Sequence, residues 1–90
     1  MHHDDLETRR RRCLFRAQHR GTKEMDWLLG RFAEARLQSA DASELAMWER
    51  LVQVADPLLY DWIVNGAAVE DAEFAAVIRG IQLTNGLSTR

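Results

Sequence analysis

The sequence has one cysteine, one proline and no long apolar run. The lone Cys13 excludes an internal disulfide, so the fold must hold by packing alone, and a reducing cytosol is the expected compartment. With proline confined to Pro57, nearly all of the chain is open to helix. The apolar stretches are short and interrupted by charge, which excludes a transmembrane helix. The opening "MHHDDLE" has acid early and no apolar core, so no secretory signal is expected. Asp4, Asp5 and Glu7 argue against a mitochondrial transit peptide, and His2 and His3 read as a frayed end. Aromatics make up only 8% of the residues. In so small a chain, Phe32, Trp48, Trp62 and Phe74 are therefore assigned to core filling rather than to ligand stacking.

Chemistry-bearing patterns are also scarce. Cys13 and His19 lie six apart on different faces of one helix, and nothing has zinc spacing. The carboxylates lack the order of a calcium loop. Ser39, Ser43 and Ser88 sit in caps or the tail without a nucleophile elbow. No glycine-rich dinucleotide or phosphate loop occurs. Cys13 sits among arginines, which would lower a thiol's pKa, but a lone cysteine on a helix is more often a small packing residue than a reactive one. These absences predict a protein that is not an enzyme and holds no metal and no cofactor.

What remains is a 90-residue chain, 47% hydrophobic and 29% charged, sized for one small domain with an ordered core over about 5–82 and a tail over 83–90. Its net charge of −2 conceals two poles. Residues 1–23 hold seven bases and three acids, whereas 24–90 hold five bases and eleven acids. That layout favours oriented docking to a partner over tight binding to a polyanion. A pI near 5.9 and the absence of a base-reading helix set a nucleic-acid-binding regulator behind other readings, although "RRRR" keeps it as an alternative beside a generic helical adaptor.

Strand-type alternation is absent, and every apolar cluster repeats at three or four, so the expected class is all-α, a compact five-helix bundle. The first helix is expected over about Asp5 to His19. It carries Arg9, Arg12, Arg16 and Arg20 in one stripe, Leu14, Phe15 and Gln18 toward the core, and Cys13 and Ala17 at the stripe's edge. Gly21 suits a left-handed helix end, and Thr22 suits the N-cap of a second helix over Lys23 to Leu37, with Trp27 at or beyond the edge of its apolar face. Asp41 and Glu44 form a capping box for a third helix that turns Leu45, Trp48, Leu51, Val52 and Ala55 inward. Asp56-Pro57 reads as an N-cap followed by proline at the first helical position. The fourth helix stops at Asn65-Gly66, and the fifth starts near Asp71.

"RGTKE" is then either a plain elbow between two helices or a working surface. The wider pattern is more specific. R-G-x-x-E lies between an Arg-rich helix and "LLGRF", and "WERLVQVADPLLYDWIVNG" follows with D-P-x-L-x-x-W and a closing N-G. Over about Arg9 to Ile81 this resembles the FAD assembly factor family, the SdhE-type assembly factors for succinate dehydrogenase. The resemblance implies a five-helix protein, not itself an oxidoreductase, that binds the flavoprotein subunit of succinate dehydrogenase and in some cases that of fumarate reductase. It promotes covalent attachment of FAD to that client, so the FAD belongs to the client. The motif falls on Arg20, Gly21 and Glu24, which the resemblance makes a partner-binding patch, with Arg12 and Arg16 extending it along the helix. Cys13 stands where relatives usually have a basic residue, and Gln18 where a large apolar one is common. On this reading Arg20 and Glu24 display opposite charges at the elbow, and a monomer in the bacterial cytoplasm is expected.

Overall fold

Residues 5–87 are described in a computed structural model, and among them are five helices and no strand. These are α1 (Leu6–Gln18), α2 (Lys23–Leu37), α3 (Ala42–Leu51), α4 (Asp56–Ile63) and α5 (Ala72–Thr84). His2 and His3, and the last three residues of the expected tail, lie outside the described residues.

Four helix starts are set by a side chain that accepts from an otherwise unpaired amide. Asp5 caps α1 at the Thr8 N–H (2.8 Å), and Thr22 caps α2 at Met25 (3.2 Å). Asp41 caps α3 at Glu44 (2.8 Å), and Asp71 caps α5 at Glu73 and Phe74 (2.9 and 3.1 Å). Asp41→Ala is expected to cost about 1 kcal/mol, a fall of several degrees in thermal unfolding followed by circular dichroism. The amide bonds also hold the carboxyls of Asp5 and Asp71 below the ordinary value, chiefly through the Thr8 and Phe74 N–H groups respectively. A depressed folded-state pKa means that the caps act fully at neutral pH. Their contribution is lost as acid protonates them, below about pH 4.

The core forms around α2, which buries Met25, Leu28, Leu29, Phe32, Ala33 and Leu37. Helix α1 packs on α2 and α3, while α5 packs on α2, α3 and α4. Trp48, fully enclosed, sits beside Phe32 with ring centroids 6.3 Å apart, and Trp62 lies half-buried against Phe74 at 6.1 Å. Trp27 is half exposed, with the Arg31 guanidinium over its ring.

Helix α1 departs from expectation in the face it buries. Cys13 and Ala17 are in the core, Leu14 packs only partly, and Phe15 is 61% exposed, stacked on His19 at 3.9 Å. Helix α1 meets α2 at Gly30. A Cβ there would come within 2.9 Å of Gln18 Cγ and 3.1 Å of Gln18 Cα, so the two helices approach closely. Phe15, two residues from both Cys13 and Ala17, lies on the side of α1 turned away from that buried face.

Three further details differ at helix ends. Helix α3 stops at Leu51, with Val52 as its C-cap, and Ala55 is exposed as the N-cap of α4 rather than turned inward. Asp56 is already the first residue of α4, so Pro57 stands second. Helix α5 continues to Thr84, and Leu87 packs against the core while its N–H donates to the Gln82 carbonyl (2.8 Å). Gln82, the one buried polar side chain among the described residues, donates to the Trp62 and Ile63 carbonyls (3.1 and 3.2 Å). It thereby closes the end of α4 from a neighbouring helix. No described helix is long and apolar enough to cross a membrane.

Candidate functional site

The turn between α1 and α2 is shaped by a residue far away in sequence. Asp56 accepts from the Arg20 Nε–H through Oδ1 (2.8 Å) and from the Gly21 backbone N–H through Oδ2 (2.7 Å). Both of its oxygens are thus spent on the elbow. This explains why Asp56 does not cap α4, which has no side-chain cap bond.

The rest of the Arg20 guanidinium is also occupied. Its Nη1 donates to the Val52 carbonyl (2.6 Å) and to Arg16 O (3.3 Å), and its Nη2 donates to the Val54 carbonyl (2.7 Å). Val52 and Val54 lie just past the end of α3, where carbonyls lack helical partners and the helix dipole is negative. A planar five-donor fork suits such a cluster of acceptors. The Arg20 backbone N–H adds a bond to the Asp26 carboxylate of α2. With its side chain only 9% exposed, Arg20 is a clasp joining the elbow to the α3–α4 corner. The display of opposite charges by Arg20 and Glu24 expected from sequence does not occur, because the positive partner is turned inward.

Gly21 is likewise used differently from expectation. Among the described residues the left-handed positions are Gly66 and Gly86, and Gly21 is not one of them. A Cβ on Gly21 would stand 3.0 Å from Asp56 Oδ2. Its lack of a side chain therefore serves the close approach of that carboxylate, rather than a positive φ. Glu24 is exposed in the first turn of α2, where a negative charge is favoured by the helix dipole.

Arg12 and Arg16 are exposed on the same side of α1, and with Cys13, Glu49, Val52 and Gln53 they line a shallow cleft of about 230 Å³. Arg9 is not a continuation of an open stripe, since it makes a forked pair with Glu49 (2.6 and 3.1 Å). Of the five residues assigned to the patch, Arg12, Arg16, Gly21 and Glu24 thus lie at the surface, and Arg20 lies beneath it. Asp56 was missed by sequence reasoning. Its signals were the Asp-Pro pair, which local rules assign to capping, and its place at the head of D-P-x-L-x-x-W, which names no role for it.

Cys13 is not an activated thiol. Burial raises its pKa to about 11, and the nearby Glu49 carboxylate adds to the rise, outweighing Arg16 and Arg9, which act the other way. Alkylation by iodoacetamide at pH 8 is accordingly expected to be slow in the folded protein and to reach the rate of an ordinary thiol only in denaturant. Because the folded-state pKa is raised, this group favours folding below the unfolded value near 8.5 and withdraws that support as pH climbs toward 11. Among the described residues, no group of three or more His, Cys, Asp or Glu side chains is arranged to hold a metal ion.

Known proteins share this sequence over most of its length. The family model described as Sdh5, flavinator of succinate dehydrogenase, matches residues 11–85. The chain is 40% identical over 76 residues to FAD assembly factor SdhE of Acetobacter pasteurianus, covering 84% of this chain and 70% of that relative. It is 41% identical over 63 residues to the protein of the same name from Coxiella burnetii, covering 70% and 77% respectively. It is also 31% identical over 78 residues to the mitochondrial succinate dehydrogenase assembly factor 2 of Dictyostelium discoideum, covering 87% of this chain and 55% of that one. No solved structure matches it. A match from the middle of α1 to the end of α5 takes in the elbow, its clasp and all five helices, and the chain belongs to the family of succinate dehydrogenase flavinators.

Proposed function

We propose that this protein is an assembly factor that binds the flavoprotein subunit of succinate dehydrogenase and promotes covalent attachment of FAD to it, without catalysing the attachment itself. The related fumarate reductase subunit is a second client by the same reading. The protein works as a monomer in the bacterial cytoplasm and holds no cofactor of its own. The observation that carries the proposal is the elbow itself, with Glu24 outward at the start of α2, on a turn whose neighbouring Arg20 and Gly21 are pinned from below.

A carboxylate on a rigid bend can make charge-assisted hydrogen bonds with a basic or amide-lined surface of the client at low entropic cost. Arg12 and Arg16 add positive charge on the adjoining face of α1. Family membership supports the choice of client, and the sparseness of reactive groups supports a binding role. Preferential binding of the conformation in which the client attaches its flavin raises the population of that conformation, and no chemistry by the helper is needed.

Glu24→Ala tests this directly. The variant should keep the helical circular dichroism of the parent and melt within a few degrees of it, because Glu24 is exposed and supports the fold only through its place at the helix N-terminus. Covalent flavin on the client, read by in-gel fluorescence after coexpression, should fall severalfold. Full client flavinylation by a normally folded Glu24→Ala protein would remove the elbow as the working surface.

A further inference from the structure

The three-residue motif is incomplete in space without a fourth group. We infer that Asp56 is a positioning residue for the partner-binding elbow: by holding Arg20 and the Gly21 amide it fixes the direction in which Glu24 is presented to the flavoprotein client. This rests on the function proposed above and extends it to a residue 36 positions from Arg20 and 35 from Gly21.

The geometry gives Asp56 little else to do. It begins α4, yet neither oxygen is spent on an amide of its own helix. One oxygen receives the Arg20 side chain and the other the Gly21 main chain, so a single carboxylate fixes both halves of the R-G pair. Charge-assisted bonds of this kind are among the stronger and more directional ones available to a protein. The helix carrying Asp56 packs on α5, whereas the elbow belongs to α1 and α2. The carboxylate therefore bridges two parts of the fold at the point where the chain reverses. Glu24 follows Gly21 by three residues, with Thr22 capping the turn between them, so the orientation of α2's first turn is tied to the fixed amide.

Asparagine at position 56 tests this role with the least change of shape, although it also takes from the enclosed Arg20 its counter-charge. It has nearly the shape of aspartate but one oxygen instead of two. Its amide group then faces a donor, either the Arg20 Nε–H or the Gly21 N–H, and the charge is gone. Asp56→Asn should leave the helical spectrum unchanged while hydrogen exchange at the Gly21 amide accelerates. Affinity for the purified apo-flavoprotein subunit of succinate dehydrogenase should fall by about tenfold, the loss expected of one charge-assisted bond.

The deciding measurement is a double-mutant cycle with Glu24→Ala on that affinity. If Asp56 acts by presenting Glu24, the double variant binds no more weakly than the weaker single variant. Losses that multiply to about a hundredfold would mean that Asp56 acts independently, which overturns the inference, as would native affinity in Asp56→Asn. Native affinity in Glu24→Ala would instead refute the functional reading on which the inference stands. Should Asp56→Asn unfold at the assay temperature, Arg20→Lys opens the clasp from the other side. It keeps the charge but loses the fork, and it should show the same non-additivity with Glu24→Ala, multiplicative losses again overturning the inference.

Discussion

Arg20→Ala should melt about 15 °C below the parent protein, in contrast to the small shift expected of Glu24→Ala. The substitution strips the Asp56 carboxylate of its ion-pair partner and leaves the Val52 and Val54 carbonyls without their donors. Removing one member of an enclosed ion pair costs about 3–5 kcal/mol, because the other charge remains desolvated. Asp56 is 22% exposed, so water relieves part of that penalty, and about 3 kcal/mol is the appropriate end of the range. In a domain of this size each kcal/mol corresponds to roughly 4–8 °C. Thermal unfolding followed by circular dichroism measures it. A shift of only a degree or two would show the clasp to be energetically idle. The practical corollary is that a poor result with Arg20→Ala in a client assay reports loss of fold as well as loss of the surface.

Trp48→Ala should be as damaging for a different reason. Trp48 is 1% exposed, on the face of α3 that meets Phe32. Truncation removes its transfer free energy and leaves a cavity the helices close only in part, at a cost of about 3–5 kcal/mol. A single domain has a total stability of about 5–15 kcal/mol, and this one has no disulfide in reserve. A large drop in the urea midpoint with little change in slope is the expected signature. A midpoint shifted by only a few tenths of a molar would place Trp48 outside the cooperative core.

The parts of the structure that local chemistry decides were legible from sequence. The helix over Lys23 to Leu37 has the predicted limits, because Thr22 caps it and its apolar residues recur at three and four. Asp5, Asp41 and Asp71 also mark helix starts. The misreadings fall where a distant group outbids the local one. Phe15 looks like a core residue by type, but α1 buries the side that carries Cys13 and Ala17, with Ala17 and Gln18 against Gly30 of α2, and Phe15 falls on the other side. Asp56 before Pro57 looks like a cap until Arg20 and the Gly21 amide claim both oxygens. Gly21 looks like a left-handed stop, yet its lack of a Cβ serves the approach of that same carboxylate. Gln82 falls in register with Phe74 and Ile78 but, being polar, gives no apolar signal, and its role appears only once the end of α4 is brought against α5. The candidate surface was found through the motif. The division of its residues between outer face and inner support required coordinates.

The bonds of Arg20 reach 32 to 36 residues down the chain. On the ribosome, the motif therefore emerges well before the carbonyls and the carboxylate that give it shape. A nascent chain ending before Val52 carries the whole "RGTKE" segment without its geometry, and the bend matures only as the second half of the molecule is made.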